Sequence, residues 1–416
     1  MTVSTDSATS SATSSATSSD TSSAEMDAFR EKCRAFLETN HRPAAKVDFE
    51  WNKEFLARSA EAGLAGITYP AEFGGAGLTA AHDKVWREEK AAYAPQDGEF
   101  IISHGMCLPM IAEYGTDEQR RQFMPDMIAG RTLWCQMFSE PGAGSDVASL
   151  QSKAELDGDE WIINGQKVWT TLAHKSEYGL VVVRTDPDQV KHRGISMFIL
   201  DMQAPGVEIR PIHQIDGGNH FNEVFFNDVR IPKDWLVGEM NAGWRLATSM
   251  LMYERVAIGS SGAGKVSQPY FDTLAAIATG NGTIADRVVR DQLMRLYCME
   301  STKSMVAMRT RAEMKAGKTP GPGGSLGKLM GSVISWYYRG IALEIAGAGS
   351  VAWDPAEPGA AYLHKHLLNT FQNGIAGGTD EIQRNIIGER VLGLPREPSV
   401  DTAVPFRELK VGTQRT

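Results

Sequence analysis

Apolar residues recur at two different spacings along the chain, and the spacing changes twice. From 25 to 130, stretches such as WNKEFLARSAEAGLAG place apolar residues every three or four positions, which predicts amphipathic α-helices. From 131 to 236, short segments such as YGLVVVRTD and GISMFILDM favour strands, with hairpin turns at the Asp-Gly pair 157–158 and the Asn-Gly pair 164–165. From 237 to 400 the helical spacing returns.

The order helices, strands, helices predicts an α+β fold with three structured domains. We expect an N-terminal helical domain at 25–130, a middle antiparallel β-domain at 131–236 and a C-terminal helical domain at 237–400. A doubly wound dinucleotide fold is excluded, because its strands and helices alternate. The Ser/Thr repeats of residues 1–24 can bury nothing and are expected to form a disordered tail, and 401–416 is assigned to a C-terminal tail.

Composition narrows the function classes. The chain has 42 Lys and Arg against 51 Asp and Glu, and this formal charge of −9 argues against nucleic-acid binding. No apolar run has the length that a membrane span needs. The four cysteines are far apart in sequence, which favours reduced thiols and a cytoplasmic location. His364 and His366 would point in different directions on a helix, so no metal site is expected.

Two glycine-rich stretches bear on ligand chemistry. FSEPGAGSD, 138–146, follows a predicted strand and can bring backbone N–H groups close to a ligand, although by itself it fits a surface turn equally well. GSSGAGKV, 259–266, almost matches a phosphate-binding P-loop, but Val266 stands where the Mg²⁺-binding hydroxyl belongs. An NTPase is therefore a disfavoured alternative, which ATP binding sensitive to Lys265→Ala would identify.

A carboxylate stands in the apolar stretch WRLATSMLMYERVAIG. On a helix, Glu254 shares a face with Met250, Leu251, Ala257 and Ile258, none of which can pair with its charge. Loss of solvent raises the pKa of such a carboxyl group and makes it a better base. The alternative is that Glu254 pairs with an arginine from another segment and holds helices together.

Five segments, read in order, resemble the acyl-CoA dehydrogenase family: YPAEFGGAGLT, FSEPGAGSDVASL, INGQKVWTT, MYERVAIG and GGTDEIQRNIIGERVLGLP. The resemblance covers nearly everything after the tail. It implies FAD as cofactor, an acyl-CoA thioester as substrate, a trans-2-enoyl-CoA as product and an electron-transferring flavoprotein as electron acceptor. It also implies a helical N-terminal domain, a middle antiparallel β-barrel or sandwich, a C-terminal four-helix bundle and a homotetramer.

The resemblance also implies residue roles by position. For Trp169 the alternative is a place in the β-domain core, where a Trp on a strand usually lies. The positions that match the FAD site of the family are Gln136, Met137, Phe138, Ser139, Ser145, Trp169, Thr170, Thr171, Glu344, Gly347, Ala348, Thr379 and Glu381. The positions that match substrate contacts are Ser145, Tyr253, Arg255 and Gly377.

The position of the base departs from the commonest family pattern. Many members carry the catalytic glutamate just before the Gly-Thr of the C-terminal motif, where this chain has Gly377. A minority branch, similar to isovaleryl- and long-chain-type enzymes, places it on a helix immediately before an arginine, which matches Glu254 and Arg255. The resemblance thus implies that Glu254 removes the α-proton and that the N–H of Gly377 stabilises the thioester oxygen.

This sequence departs from the family pattern at three further places. The first two concern the half of the FAD site that a neighbouring subunit supplies, and the third concerns a substrate contact. The family's Gly-Gly-x-Gly stretch is Gly-Ala-Gly-Ser at 347–350. Its Arg-x-x-Phe-Gly motif is missing, with Arg287 or Arg290 as stand-ins, and Met252 replaces an Asp or Asn. A homotetramer remains the first expectation. The alternatives are one subunit of a heteromeric acyl-CoA dehydrogenase, or a flavin oxidase of the same fold that would produce peroxide.

Overall fold

The computed structural model describes residues 23–93, 96–259, 268–315, 323–350, 358–399, 401 and 403–409. Only the backbone is described for 254–259, 314–315, 323, 349–350, 358–362 and 365. Residues 1–22 of the predicted tail lie outside the described residues, as do 260–266 of the P-loop-like stretch. The first helix begins at Ser23, two residues before the predicted start of the N-terminal domain.

Helices α1 to α5 form the N-terminal part of the fold. They span Ser23–Asn40, Phe49–Glu61, Ala80–Lys90, Leu108–Tyr114 and Asp117–Ile128, and a π-helical turn, Ser103–Cys107, precedes α4. Helix α5 begins with a capping box, in which Thr116 and Gln119 each accept the other's backbone N–H through a side-chain oxygen. The Gln119 amide also donates to the carbonyls of Asp234 at 2.6 Å and Leu236 at 2.9 Å. These bonds tie α5 to the last strand of the middle domain.

Strands β1 to β8 form one sheet. They span Trp134–Met137, Lys153–Asp157, Glu160–Thr171, Tyr178–Arg184, Ile195–Asp201, Val207–Pro211, Phe221–Pro232 and Leu236–Val237. Their order is β6-β7-β3-β2-β4-β5-β8, and β1 pairs with β4. Because β8 pairs with β5, the sheet extends one residue past the predicted boundary at 236.

The prediction of antiparallel pairing is correct for most of the sheet, including β4 with β5, and wrong where β4 pairs with β1 and β2. Strand β4 runs parallel to β1, with Trp134 opposite Tyr178 and Met137 opposite Val181, and it meets β2 in the same sense at one residue pair. A parallel pair needs a connection that returns to the same end of the sheet. Here the chain between β1 and β4 contains the β2–β3 hairpin, and this hairpin is part of that connection.

Successive residues of the central strands belong to two different hydrophobic cores. On β1, Trp134 packs in a core shared with α4, α5 and the following helical domain, whereas Cys135 and Met137 pack in the interior of the β-domain. Strand β4 alternates in the same way, with Leu180 in the first core and Val181 in the second. The period of two along a strand therefore makes this part of the sheet a wall between two cores.

Helices α6 to α11 form the C-terminal part. They span Gly243–Gly259, Pro269–Gly280, Arg287–Lys315, Gly323–Ala346, Pro358–Asn373 and Asp380–Ile386. Helices α7 to α10 share one core, in which Leu274, Leu296, Tyr338 and Leu367 are buried. This arrangement fits the expected four-helix bundle, and the α+β fold class is confirmed.

Two observations concern the wider chemistry of the described residues. None of the helices in the described part of the chain is long and apolar enough to cross a membrane. Within the same residues, no group of three or more His, Cys, Asp and Glu side chains could hold a metal ion. All four cysteines are free, with Cys298 exposed and the other three buried.

Candidate functional site

The end of β1 and the second half of β3 are joined through their main chains. The N–H of Val168 donates to the carbonyl of Ser139 at 2.9 Å. The two segments that the sequence assigns to the flavin, 136–139 and 169–171, are therefore neighbours. Strand β3 also departs from regular pairing with β7 between Lys167 and Thr170, immediately after this bond.

Trp169 lies at this irregularity with its side chain in solvent. Its φ is 62°, a left-handed conformation that costs a non-glycine residue about 1–3 kcal/mol. The indole is 58% exposed and stands edge-on to Phe221, with ring centroids 6.0 Å apart. The alternative that Trp169 belongs to the core is therefore wrong. A strained backbone that holds a large apolar ring in water is typical of a ligand-binding surface.

The side chain of Thr170 is buried beside this indole. It is 1% exposed, and its hydroxyl has no hydrogen-bond partner among the described residues. A buried hydroxyl without a partner costs about 1–3 kcal/mol. The neighbouring Thr171 is half-buried. The exposed indole of Trp169 and the accessible hydroxyl of Thr171, close together in sequence, fit a flat ligand with a polar edge.

The four residues of the first segment are not equivalent. Gln136 and Ser139 are half-buried, so their side chains remain accessible. Met137 is fully buried in the β-domain core and Phe138 is 5% exposed in the other core. Successive side chains of a strand point to opposite faces, and here both faces are buried in cores. Met137 and Phe138 can therefore contact a ligand only through their main chain.

The glycine-rich loop after β1 is fixed at both ends by lysines. At one end Glu140 accepts the ammonium of buried Lys167 at 2.7 Å. At the other end Asp146 accepts the ammonium of Lys191 at 2.9 Å. Between them Glu140 and Ala143 exchange main-chain hydrogen bonds of 3.0 Å, and Ser145 is exposed. Ser145 is therefore available to a ligand at the tip of an anchored loop.

Helix α6 carries the predicted base and packs against the π-helical turn, α4, β5 and α9. Glu254 and Arg255 lie in its last two turns, and their side chains lie outside the described residues. One turn earlier Met250 is fully buried and Met252 is 51% exposed. The helix thus brings an apolar face to the junction of the domains at the position of the expected base.

Tyr253 has a protein partner. Its hydroxyl donates a hydrogen bond to the carboxylate of Glu113 on α4. Burial and this bond together raise the pKa of Tyr253 well above its ordinary value. Its hydroxyl is therefore engaged with the N-terminal domain, which weakens the assignment of Tyr253 to the substrate.

Gly377 lies in the turn between α10 and α11, with φ 65°. The buried amide of Gln383 donates to the carbonyl of Gly377 at 2.9 Å and to that of Gly378 at 3.3 Å. Asp380 begins α11 and accepts the Ser332 hydroxyl of α9 at 2.8 Å. The N–H of Gly377 donates to no other described residue. The turn at Gly377 is thus held by the amide of Gln383 and by the contact between Asp380 and Ser332.

The predicted FAD residues of the C-terminal domain, which include the adenine-side pair Thr379 and Glu381, lie at two helix ends. Thr379 caps α11, its hydroxyl accepting the N–H of Ile382 at 3.3 Å, and Glu381 is exposed in the first turn. At the end of α9, Gly347 and Ala348 are exposed. Glu344, also exposed, accepts the Gln292 amide at 2.7 Å.

The two proposed stand-ins for the interface arginine differ. Arg290 donates to the carbonyls of Ile284 at 2.9 Å and Ala285 at 2.7 Å, so it is used within its own domain. Arg287 is exposed at the start of α8. Of the two, Arg287 is the better placed for a ligand or a neighbouring subunit.

Sequence reasoning missed the groups that hold the site in place. Lys167 belongs to INGQKVWTT, and its position shares the parity of buried Trp161 and Ile163. That alternation predicts that the side chain of Lys167 points inward, and a buried lysine needs a carboxylate as partner. The candidate partner is Glu140, which belongs to the FSEPGAGSD motif. Gln383 offered no comparable signal, because a polar residue on a short helix is ordinarily exposed.

Protein-family models match most of the chain. The N-terminal domain model of acyl-CoA dehydrogenases matches residues 23–131, the middle domain model 135–229 and the C-terminal domain model 241–392. The acyl-CoA dehydrogenase IpdE1 of Mycobacterium tuberculosis is 38% identical over 354 residues, which covers 84% of this chain and 89% of the relative.

Solved structures with a similar fold also include acyl-CoA dehydrogenases. A structure described as the Tcur3481-Tcur3483 steroid ACAD has a TM-score of 0.74 and 27% identity, covering 90% of this chain and 99% of that one. The ChsE4-ChsE5 complex from Mycobacterium tuberculosis has a TM-score of 0.72 and 31% identity, covering 90% of this chain and 98% of that one.

Proposed function

The chain belongs to the acyl-CoA dehydrogenase family, and on this premise we propose that it oxidises an acyl-CoA between Cα and Cβ with FAD, using Glu254 as the base. The observation that carries the proposal is the surface at Trp169, where a strained backbone exposes an indole two positions before the half-buried Thr171. A flat, polar-edged isoalloxazine ring fits this surface. When bound, FAD would accept a hydride equivalent from Cβ.

The FAD would be held by main-chain and side-chain groups of both flavin segments. Ser139 and Gln136 offer accessible polar side chains, and Trp169 offers an apolar face. The exposed loop tip at Ser145 would face the ligand from the other side. Thr379, Glu381, Gly347, Ala348 and Glu344 would contact the adenine half. This half of the site is expected to be completed by a neighbouring subunit.

The proton chemistry is assigned to two groups. Glu254 would take the proton from Cα, as its position among apolar residues in the sequence of α6 suggests. As the α-proton leaves, negative charge grows on the thioester oxygen, where the N–H of Gly377 would donate. Gly377 also leaves space next to the substrate, because it has no side chain. Arg255 would position Glu254 or the substrate.

We propose a homotetramer that passes electrons to an electron-transferring flavoprotein and acts in the cytoplasm, where the four free thiols would remain reduced. A second assembly is favoured by particular observations. The sequence Gly-Ala-Gly-Ser at 347–350 and the missing arginine motif weaken the part of the site at the subunit boundary. Two similar structures, the ChsE4-ChsE5 complex and the Tcur3481-Tcur3483 steroid ACAD, name two components each. A heterotetramer with a second acyl-CoA dehydrogenase chain is therefore the alternative.

The proposal is tested with Glu254→Gln. Wild-type protein loaded with FAD is mixed anaerobically with a panel of straight-chain, branched and steroid-side-chain acyl-CoA thioesters, and the flavin absorbance is followed. We expect bleaching by at least one thioester, and a rate at least about 10³-fold lower for Glu254→Gln with FAD binding unchanged. Bleaching of the variant at the wild-type rate would exclude Glu254 as the base.

The absorption spectrum of the protein purified alone separates the two assemblies. About one flavin per chain supports the homotetramer. A protein that stays colourless with added FAD, and becomes yellow on co-expression with a second acyl-CoA dehydrogenase chain, supports the heteromer. Glu61→Gln is the matched carboxylate control for the kinetic test and should bleach at the wild-type rate, because Glu61 is exposed at the end of α2.

A further inference from the structure

The segment 403–409 packs on the connection between β4 and β5. The N–H of Phe406 donates to the carbonyl of Gln189 at 2.8 Å, and the N–H of Arg407 donates to that of Pro187 at 3.1 Å. Pro405 forms an isolated antiparallel bridge with Val190. Phe406 is 9% exposed. The segment is thus bound by main-chain pairing and by one buried aromatic ring.

Two nearly buried cations lie beneath this segment. Lys191 is 5% exposed, and its ammonium contacts the carboxylates of Asp401 and Asp146. Arg184 is 3% exposed, and its guanidinium lies 3.6 Å from the centre of the Phe406 ring. Arg184 also donates to the carbonyl of Lys191 at 2.6 Å. Asp401 and Phe406 thus cover the two cations from the side of the C-terminal segment.

The same cations hold the glycine-rich loop from the opposite side. Lys191 donates to both carboxylate oxygens of Asp146, at 2.9 and 3.0 Å. Arg184 donates to the carbonyl of Ala148 at 2.6 Å. The short turn that follows is closed by bonds from the N–H of Ser149 to Asp146 at 2.9 Å and from that of Leu150 to Val147 at 3.1 Å.

The charges make this contact more than simple packing. Burial lowers the pKa of Arg184 to about 10, and the charges of Glu140 and Asp186 offset this effect only in part. An aromatic face is then a favourable partner for the buried cation. Burial alone would lower the pKa of Lys191, but its bonds to Asp401 and Asp146 raise it overall. Each cation therefore depends on the C-terminal segment for part of its stabilisation.

We propose that Asp401 and the segment 403–409 form a strap that positions the glycine-rich loop 140–150 for its ligand, acting through Lys191 and Arg184 without touching the ligand. This proposal rests on the proposed function in one respect, which is that the loop contacts FAD or substrate. Lys191 and Arg184 are positioning residues. Loosening the strap changes how tightly the ligand is held and leaves the proton and hydride steps unaltered.

The test uses full-length variants. Asp401→Asn removes the carboxylate charge that pairs with Lys191, and Phe406→Leu removes the aromatic face over Arg184. Arg407→Ala is the matched control, because Arg407 belongs to the same segment but pairs with exposed Asp188. Backbone hydrogen exchange at Ser149 and Leu150 reports loop opening whether or not a flavin is bound. FAD affinity and the turnover per bound flavin are measured on the same proteins.

We expect exchange at Ser149 and Leu150 to be about fivefold faster in Asp401→Asn and Phe406→Leu, with a similar loss of FAD affinity. Turnover per bound flavin and exchange in Arg407→Ala should stay at wild-type values. Lys191→Met should open the loop further, and Lys191→Arg should restore FAD affinity in part.

Two results would overturn the strap. One is loop exchange in Asp401→Asn and Phe406→Leu that matches Arg407→Ala. The other is faster exchange with FAD affinity unchanged, since the loop would then not be positioned for that ligand. If the loop opens as expected but wild-type protein binds no FAD under any condition, the mechanical link is supported and the proposed function is what fails.

Discussion

The ammonium of Lys167 lies 2.7 Å from Oε1 of Glu140, and the two side chains are 0% and 7% exposed. Burial lowers the pKa of Lys167, and Glu140 offsets this only in part. Burial alone would raise the pKa of Glu140, but Lys167 and the N–H donors of Gln151 and Ser152 hold it below its ordinary value. The pair is thus a buried, hydrogen-bonded contact. It joins β3 to the loop that begins at Phe138, whose carbonyl also accepts from Lys167 at 3.1 Å.

Replacing Lys167 with Met should destabilise the protein strongly, because it leaves the carboxylate of Glu140 buried without its cation. We expect a loss of about 3 kcal/mol in the free energy of unfolding, measured by urea denaturation. The double variant Lys167→Met/Glu140→Gln should recover part of this loss, since the uncompensated charge is gone. Lys153→Met is the control, because Lys153 pairs with Glu155 on the exposed face of β2. It should change stability by less than about 0.5 kcal/mol. Equal effects of Lys153→Met and Lys167→Met would contradict the role given to the buried pair.

Replacing Trp169 with Gly should separate binding from stability. Glycine adopts a φ of 62° without strain, and the lost indole is more than half exposed, so the free energy of unfolding should stay within about 1 kcal/mol of wild type. FAD affinity should fall about tenfold or more through loss of ring contact, which a flavin titration measures. Leu156→Ala, at an exposed apolar residue of β2, should leave both quantities unchanged. Wild-type FAD affinity in Trp169→Gly would remove Trp169 from the cofactor site.

Replacing Gln383 with Leu should loosen the turn at Gly377. The change removes the bonds to two backbone carbonyls and should cost about 1–3 kcal/mol in stability. Because the N–H of Gly377 would move away from the thioester oxygen, kcat should fall by about tenfold to a hundredfold. Arg384→Ala alters an exposed residue of the same helix and should change neither quantity appreciably. An unchanged kcat in Gln383→Leu would show that the geometry of this turn does not limit catalysis.

His104 should make stability depend on pH. It lies in the π-helical turn, and its Nε2 donates to the carbonyl of Met127 at 2.6 Å. Burial lowers the pKa of His104 in the folded protein, so the unfolded chain, with a histidine pKa of about 6.5, binds a proton first as the pH falls. The stabilisation is therefore fully present above that value and is lost as the pH drops below it.

Between pH 7.5 and 5.5 the wild type should lose more stability than His104→Gln, measured by urea denaturation at each pH. Glutamine can still donate to Met127 but does not titrate. His213→Gln, at an exposed histidine, should follow the wild type. Identical pH dependence in the wild type and His104→Gln would show that His104 takes up its proton in the folded state as well.

The sequence predicted the helix–strand–helix order, the α+β class and the loop at 138–146, because these depend on spacing and on local residue types. It also indicated that 136–139 and 169–171 act together, although only through the resemblance. The backbone conformation of Trp169 could not be predicted from the sequence, because a positive φ is unfavourable for tryptophan. Such a conformation persists only where the surrounding structure imposes it. Pairing of β1 with β4 was also unpredictable, because a strand pattern does not name its partner.

The cations under the C-terminal segment show a related limit. Residues 401–416 were assigned to a tail on composition alone, yet Phe406 is buried against Arg184, more than 200 positions earlier. Such a contact depends on where the chain is folded back, which no local pattern contains. Lys191 and Asp146 likewise lie in unrelated segments, and neither motif names the other.

The alternation of Trp134 and Cys135 between two hydrophobic cores has a consequence for modularity. The matched family segment 135–229 corresponds to one family domain, but one face of its central strands packs on helices of the flanking domains. Excised from the chain, it would expose Leu180, Met197 and their neighbours to water and self-associate. A recombination event at the ends of this segment would have to replace the β-domain and the helices that pack on it together. The three matched segments are therefore constrained to change in step.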